Sequence, residues 1–454
     1  MKYSIGVLPF VNVTRDAEME ILADGLTDEL ITSLSGIEGT RIISRTSSFA
    51  LKHLTVDMRT AAGQLGVEYL LEGSVRRSGD RVRVNARLVR TADESHRWVR
   101  QIERGVGEIL DLPWELARSI ADELRLELCN VDERPIGAGG HWTEAHRLYL
   151  KGVHFLHSRR PGGLRQALEC LELAVQLQPD FAEAWSRIAD CHLRMANFAL
   201  SPGRQSVELA RTAARRALEL EPNKAEPHAT LAYLAAMVDY DWAAAETEFG
   251  VALQKRPEAA EVRGIYGGIL LSQGRFAEAE VELRAVRIID PLNTIVNLGI
   301  GFLQLCRRGY DAAAETLEKV LQADPASPYA LYWLAETRLL QRRFDDVPAL
   351  IADTAMPSFG CGLRVLFLAG RGRVDEAIRL RREIETTIEP APALQIALAC
   401  LGTGDIDGTF QWLERAVDAH SLGVHWIMVD PIWDSVRTDA RFRVLLRRIH
   451  LIDS

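Results

Sequence analysis

The sequence predicts a small α+β N-terminal domain followed by an all-α solenoid of helical hairpins, and three observations predict it. The first is a phrase that returns at a period near 34. Gly274, Phe276, Ala279, Leu283, Val286 and Pro291 are matched by Gly309, Tyr310, Ala313, Leu317, Val320 and Pro325, and are preceded by Trp242, Ala245, Phe249, Ala252 and Pro257. A small residue where two helices touch, with a proline closing each unit, marks stacked hairpins. The second is that residues before about 130 lack this period and mix helix and strand patterns. The third is the composition, 47% hydrophobic and 26% charged, which is that of an ordinary folded protein.

The N-terminal elements follow in order. Residues 4–10 are a short apolar run ended by Pro9, a buried-strand signal. Met19, Leu22, Leu26, Leu30, Ile31 and Leu34 recur at helical spacing through 18–35. Arg41 to Ser44 is a second short strand, and Asp57 caps a helix that ends at Gly63–Gly66. The pattern then switches to strands from 67 to 104. The clearest is 81–88, which alternates strictly and follows a hairpin turn at Ser78-Gly79-Asp80. An amphipathic helix over about 106–128 completes a βαβαβββα unit with helices covering one sheet.

Three blocks in this region, ADGLTDELITSLS (23–35), IISRTSSFALK (42–52) and YLLEGSVRRSGDRVRVNARLV (69–89), resemble the TolB-amino-terminal/FlgO-like domain. The resemblance covers residues 1–130. It implies the architecture found in the C-terminal half of bacterial winged-helix regulators, class III adenylate cyclases and Ser/Thr kinases, where the domain precedes tetratricopeptide repeats. Such relatives carry a DNA-binding or catalytic module upstream, and this chain starts at the first strand, so no output activity is carried over from them.

The domain boundaries expected are 1–134 for the α/β domain, 135–142 for a linker, 143–424 for about eight tetratricopeptide-like repeats and 425–454 for a helical cap. Gly137, Gly139 and Gly140 in the linker lack the Lys-Ser/Thr pair that a phosphate loop needs. The second repeat carries about nine extra residues near 196–204. The sixth and seventh repeats are degraded but keep Ala335, Phe344, Gly372, Ala377 and Pro390. Residues 424–450, with Trp426, Trp433, Phe442 and Leu445, are apolar enough to cover the last open face of the array.

Little in the chain points to chemistry. The formal charge of −9 gives no basic footprint, so nucleic acid is an unlikely partner. The six cysteines (129, 170, 191, 306, 361 and 400) have no paired spacing and read as small buried hydrophobes in a reducing compartment. His141, His146, His154 and His157 cluster without a third ligand motif, so no metal site is assigned and packing histidines are expected. No nucleophile elbow or kinase element is present, and no catalytic residue or cofactor is assigned. The candidate partner-binding residues are Arg81, Arg83 and Arg87, which share one strand face opposite Val82, Val84 and Leu88. A second basic run, Arg437, Arg441, Arg443, Arg447 and Arg448, reads as the outer face of the cap. On the leading helices, register alone nominates Glu183 and Ser186, Glu261 and Gly264, and Ile295 and Leu298 as wall positions.

The expected function is therefore a non-catalytic cytoplasmic interaction or regulatory protein whose repeats bind protein partners. The alternative is a detached sensory arm of a cyclase, kinase or transcription regulator, binding a small effector or nucleotide at the N-terminal domain. No secretory leader and no membrane-length apolar run is read in the sequence.

Overall fold

The structure is a computed structural model that describes residues 3–14, 16–35, 37, 39–52, 57–105, 108, 112–124, 143–157, 162–197, 203–257, 259–352, 360–387, 393–421 and 423–452. It divides into two compact units. One comprises Met1–Leu231, Val251–Ala260 and Arg287–Asn293; the other comprises Ala232–Gly250, Glu261–Val286 and Thr294–Ser454.

In the first unit the N-terminal domain runs β1 (Tyr3–Val7), β2 (Val11–Asn12), α1 (Ala17–Ser35), β3 (Thr40–Ile42), α2 (Arg45–Ala50), α3 (Met58–Leu65), β4 (Tyr69–Ser78), β5 (Arg81–Arg90), β6 (Ser95–Gly105) and α4 (Leu112–Leu124). The sheet order is β3-β1-β4-β5-β6, with β1 parallel to β3 and β4, and with β4, β5 and β6 antiparallel. The expected first strand is β1, which stops short of Pro9, and the unexpected two-residue β2 follows it; both pair with β4. Pro9 lies between them and has no N–H to give a ladder. The break turns Phe10 into the core, where Gly73 makes room: a Cβ there would lie 2.6 Å from the Phe10 ring and from the Asn85 carbonyl. Asp57 caps α3 through Thr60 N, and Gly66 closes it at φ 62, as its sequence predicts. The six-residue α2 has no counterpart in the sequence reading, and α4 lies within the 106–128 read from the pattern, whose ends fall outside the described residues.

One sheet face is sealed by α1 and α4 through Leu22, Leu26, Leu30, Leu116 and Ile120 against Leu71, Val84, Leu88 and Trp98. The other is covered only at one end, by Ala61, Ala62 and Leu65 of α3 over Val67 and Leu70. Its remaining surface on β4, β5 and β6 carries mostly polar side chains, with Val99 exposed among them.

The helical hairpins follow: α5 (Glu144–His157) with α6 (Gly163–Leu177), α7 (Ala182–Asn197) with α8 (Gly203–Leu220), α9 (Ala225–Met237) with α10 (Trp242–Lys255), α11 (Ala260–Ser272) with α12 (Phe276–Ile289), and α13 (Thr294–Cys306) with α14 (Tyr310–Ala323). After these come α15 (Pro328–Leu340) with α16 (Val347–Ala352), α17 (Cys361–Gly370) with α18 (Val374–Thr387), and α19 (Ala393–Gly402) with α20 (Ile406–Asp418). The small positions sit at the helix contacts. An added Cβ at Gly152 would meet Leu171 at 2.7 Å, one at Gly267 would meet Leu283 at 3.0 Å, and one at Gly301 would meet Leu317 at 2.9 Å. The extra residues of the second hairpin go largely into longer helices, 16 and 18 residues against 13 and 14 in the fourth. The remainder, 198–202, lies outside the described residues, as do Cys129, His141 and Pro390.

In the second unit the C-terminal segment does more than cover the last hairpin. Before α21 (Ala440–Arg448), Trp426 packs against Phe302 and Trp333, with ring centroids 5.0 and 5.5 Å apart. Arg308 binds Asp434 at 2.8 Å, Trp242 Nε1 donates to the Ile449 carbonyl at 2.8 Å, and Arg441 reaches Asp407 at 2.7 Å. The segment thus touches the third, fifth, sixth and eighth hairpins. The expectation that its arginines form an outer face is corrected at Arg437, which donates to the carbonyls of Met428 and Asp430 and holds the segment's own turn. A guanidinium with five donors suits such a turn, where several carbonyls converge.

His425 in this segment is buried, and burial pushes its imidazole down to about 3. The folded state keeps it neutral while the unfolded chain protonates near 6.5, so its contribution is present above that pH and is lost as pH falls toward 3. The stability gap between the parent and His425→Gln should therefore shift against the parent by up to about 1.4 kcal/mol per pH unit below pH 6. Chemical denaturation at pH 7, 6 and 5 measures it, and a constant gap contradicts the assignment.

Candidate interaction surfaces

The strand alternation read from the sequence places Arg81, Arg83 and Arg87 together on the open sheet face, with Val82, Val84 and Leu88 inward. Each has an acidic neighbour across the sheet. Arg81 and Arg83 share Glu103, at 3.0 and 2.9 Å, and Arg87 binds Glu72. The Arg83 hydrogen bond holds the Glu103 carboxyl below its ordinary range. The three arginines stay about half exposed, 57%, 49% and 52%, so the pairs stabilise little and leave the guanidinium edges accessible. The face is a charge-patterned surface and not an anion pocket.

The wall positions fare unequally. Glu183 is held by Lys224 at 3.0 Å, and Ser186 is buried. Close by, half-buried Glu29 of α1 is raised first by its burial and then by the charges of Asp28 and Glu183. In the second unit the wall is open. Ile295 is 72% exposed, Glu261 is exposed and Leu298 is half-buried. A Cβ at Gly264 would meet only Val296, at 3.7 Å, and one at Gly268 would meet nothing within 4 Å. Glycines without a neighbour let a ligand backbone come close to the helix.

The histidine cluster disperses. His146 pairs with Thr143 at 2.5 Å and lies against the Phe181 ring, while His154 Nδ1 meets buried Asp24 at 3.0 Å. Lys52 is the second partner of Asp24. Burial works against this carboxylate, yet the His154 and Lys52 hydrogen bonds prevail and hold it below the usual range. Asp24 thus ties α1 to the turn after α2 and to the first hairpin. A second tie was also invisible in the sequence: Asp290 accepts from Ser47 N at 3.0 Å and from Ser47 Oγ, while Leu292 N donates to Ser47 Oγ at 2.8 Å. The block 42–52 is therefore a docking segment.

Among the described residues no group of three or more His, Cys, Asp or Glu is arranged to hold a metal, and no helix is long and apolar enough to cross a membrane. The described cysteines are buried and form no disulfide, and burial pushes the thiols of Cys191 up to about 12 and of Cys361 and Cys400 up to about 11. A thiol held so far up is a poor nucleophile at neutral pH.

Residues 1–122 match the second domain of HilA/YgeH-like transcriptional regulators, and residues 234–293 and 303–346 match the tetratricopeptide repeat. The chain carries a HilA-like N-terminal domain and tetratricopeptide repeats. It is 35% identical to a candidate adenylate cyclase, number 3, of Rhizobium meliloti (strain 1021) over 41% of this chain and 32% of that protein. It is 23% identical to transcriptional regulator HilA of Salmonella typhimurium over 53% of this chain and 38% of that protein. The chain thus spans about a third of the length of these relatives. Among solved structures it is similar to PilF of Pseudomonas aeruginosa, at 20% identity and a TM-score of 0.31 over 53% of this chain and 95% of that one.

Proposed function

We propose that this chain is a non-catalytic cytoplasmic regulatory adaptor, whose repeats bind a protein partner and also hold the HilA-like domain. Tetratricopeptide repeats point to an interaction scaffold. The observation that carries the reading further is the open wall of α11 and α13, where Ile295 is exposed, the next residue, Val296, lies against Gly264, and Gly268 has open space around it. The wall of the second hairpin, by contrast, is taken up by Glu183–Lys224 and buried Ser186. An exposed apolar side chain beside accessible helix backbone suits an extended or helical protein segment.

The finer assignment of the N-terminal domain as TolB-amino-terminal/FlgO-like belongs to the same proposal, and so does its regulatory role. The partial likenesses to HilA and to the candidate cyclase support an arm that modulates a transcriptional or signalling output. An effector-binding role for the domain has support only in the half-exposed arginines of its open face.

The test is quantitative affinity capture with the full chain against an Ile295→Asp, Glu261→Lys double variant. Both sites are exposed, so the fold should persist, checked by thermal melt. The expected result is that specific proteins held by the parent are reduced at least tenfold with the variant. An identical captured set, or saturable turnover of a substrate by the purified chain, overturns the reading.

A further inference from the structure

β6 is the last strand in the sheet order and is 11 residues long. Its ladder phase follows from its neighbours. Thr91 N donates to the Glu68 carbonyl at 2.9 Å, in the register that pairs Tyr69 with Arg90. Odd-numbered residues of β5 therefore bond to β4, because antiparallel strands alternate bonded and non-bonded pairs. The even-numbered Val82, Val84, Ala86 and Leu88 then bond to β6, through Arg104, Ile102, Arg100 and Trp98. It follows that Val99, Gln101 and Glu103 direct their N–H and C=O groups away from the sheet. At Glu103 the carbonyl takes the Arg104 side chain at 3.5 Å; at Val99 and Gln101 these groups have no partner among the described residues.

An edge of this length is a template for another strand. Its charge says which kind. Within β6, Arg97, Arg100 and Arg104 stand against Glu103 alone, and Glu103 is already engaged by Arg81 and Arg83; outside the strand Arg104 reaches Glu115 at 3.5 Å and Arg97, 45% exposed, lies 4.0 Å from Asp93. Arg100 is exposed and has no ion-pair partner among the described residues. Val99 is 57% exposed on the open face beside Arg87, an apolar seat next to guanidinium groups. A second copy of this strand would bring positive charge to positive charge. An acidic strand would meet the arginines and complete the ladder.

We propose that the β6 edge binds an extended acidic segment of a protein partner by strand addition, with main-chain bonds at Val99 and Gln101 and charge contacts at Arg97 and Arg100. This surface is separate from the α11–α13 wall. The probe is a fluorescently labelled peptide of five Thr-Glu repeats, titrated by anisotropy into the full chain, with a five Thr-Lys peptide as its counterpart. The expected result is saturable binding of the Thr-Glu peptide only. Gln101→Pro should weaken it at least tenfold, since it removes one outward N–H while sparing the ladder to β5. Arg97→Glu with Arg100→Glu should weaken it to a similar extent, and unchanged melting of both variants excludes unfolding as the cause. Three outcomes overturn the proposal. One is equal binding by the parent and Gln101→Pro. Another is equal binding of the two peptides. The third is self-association of the parent that Gln101→Pro abolishes, which makes a second copy the occupant.

Discussion

Gly267→Leu is expected to lower the stability of the second unit by about 3 kcal/mol, at the upper end of the usual penalty for overpacking. The cause is local. A Cβ at Gly267 already lies 3.0 and 3.1 Å from Leu283 Cγ and Cδ2, and Leu283 is buried, so the rest of a leucine has nowhere to go. The next residue supplies a control of opposite sign. Gly268 has nothing within 4 Å of an added Cβ, so Gly268→Ala should stabilise by about 1 kcal/mol through helix propensity alone. Thermal melts should separate the two, at roughly 2–4 °C per kcal/mol for a unit of this size. Ala313→Phe should behave like Gly267→Leu, because Ala313 is completely buried on the trailing helix of the next hairpin, where it takes the place of Ala279. A loss below about 0.5 kcal/mol, the surface scale, means that the repeat register is wrong.

Asp290→Ala should cost about 3 kcal/mol and loosen the N-terminal domain from the 287–293 segment. The Asp290 side chain is buried and accepts from Ser47 N, from Ser47 Oγ and from Asn293 Nδ2 at 2.6 Å. Removing it strands these donors away from water, and a buried donor left unsatisfied costs about 1–3 kcal/mol. Ser47→Ala should show a strong coupling with it, since the pair belongs to one network, and a double-mutant cycle should return an interaction of about 1–3 kcal/mol. Hydrogen exchange gives the location: the amides of Ser47 and Leu292 should lose protection in Asp290→Ala before those of β4 and β5 do. Additive effects with unchanged exchange would mean that Asp290 does not hold this contact.

The two experiments examine different kinds of legibility. The hairpins were readable because periodicity is a local property: Gly267, Ala279, Leu283 and Pro291 lie within 25 residues, and their spacing alone puts the first three at one helix contact and the proline at the end of the unit. The same holds for β5, whose alternation by itself assigns Arg81, Arg83 and Arg87 to one face. Sequence did not reveal that Glu72 and Glu103 accompany these arginines, because both partners lie on neighbouring strands. Nor did it indicate the two-residue strand β2 beyond Pro9, which pairs with β4 and is too short to carry a pattern of its own.

By itself, then, the sequence determined the class of each part, the repeat register, the small residues at helix contacts and the inward and outward faces of the strands. These follow from side-chain size and period within one element. Tertiary structure alone decided which polar groups became buried partners: Asp24 with His154 and Lys52, Ser47 with Asp290, and Trp426 against Phe302 and Trp333. It also decided which surfaces stayed open, the α11–α13 wall and the β6 edge. Partners such as Ser47 and Asp290 are 243 residues apart in the chain. Hydrogen bonds and burial depend on distance in space, and no local pattern records which distant segments come to share it.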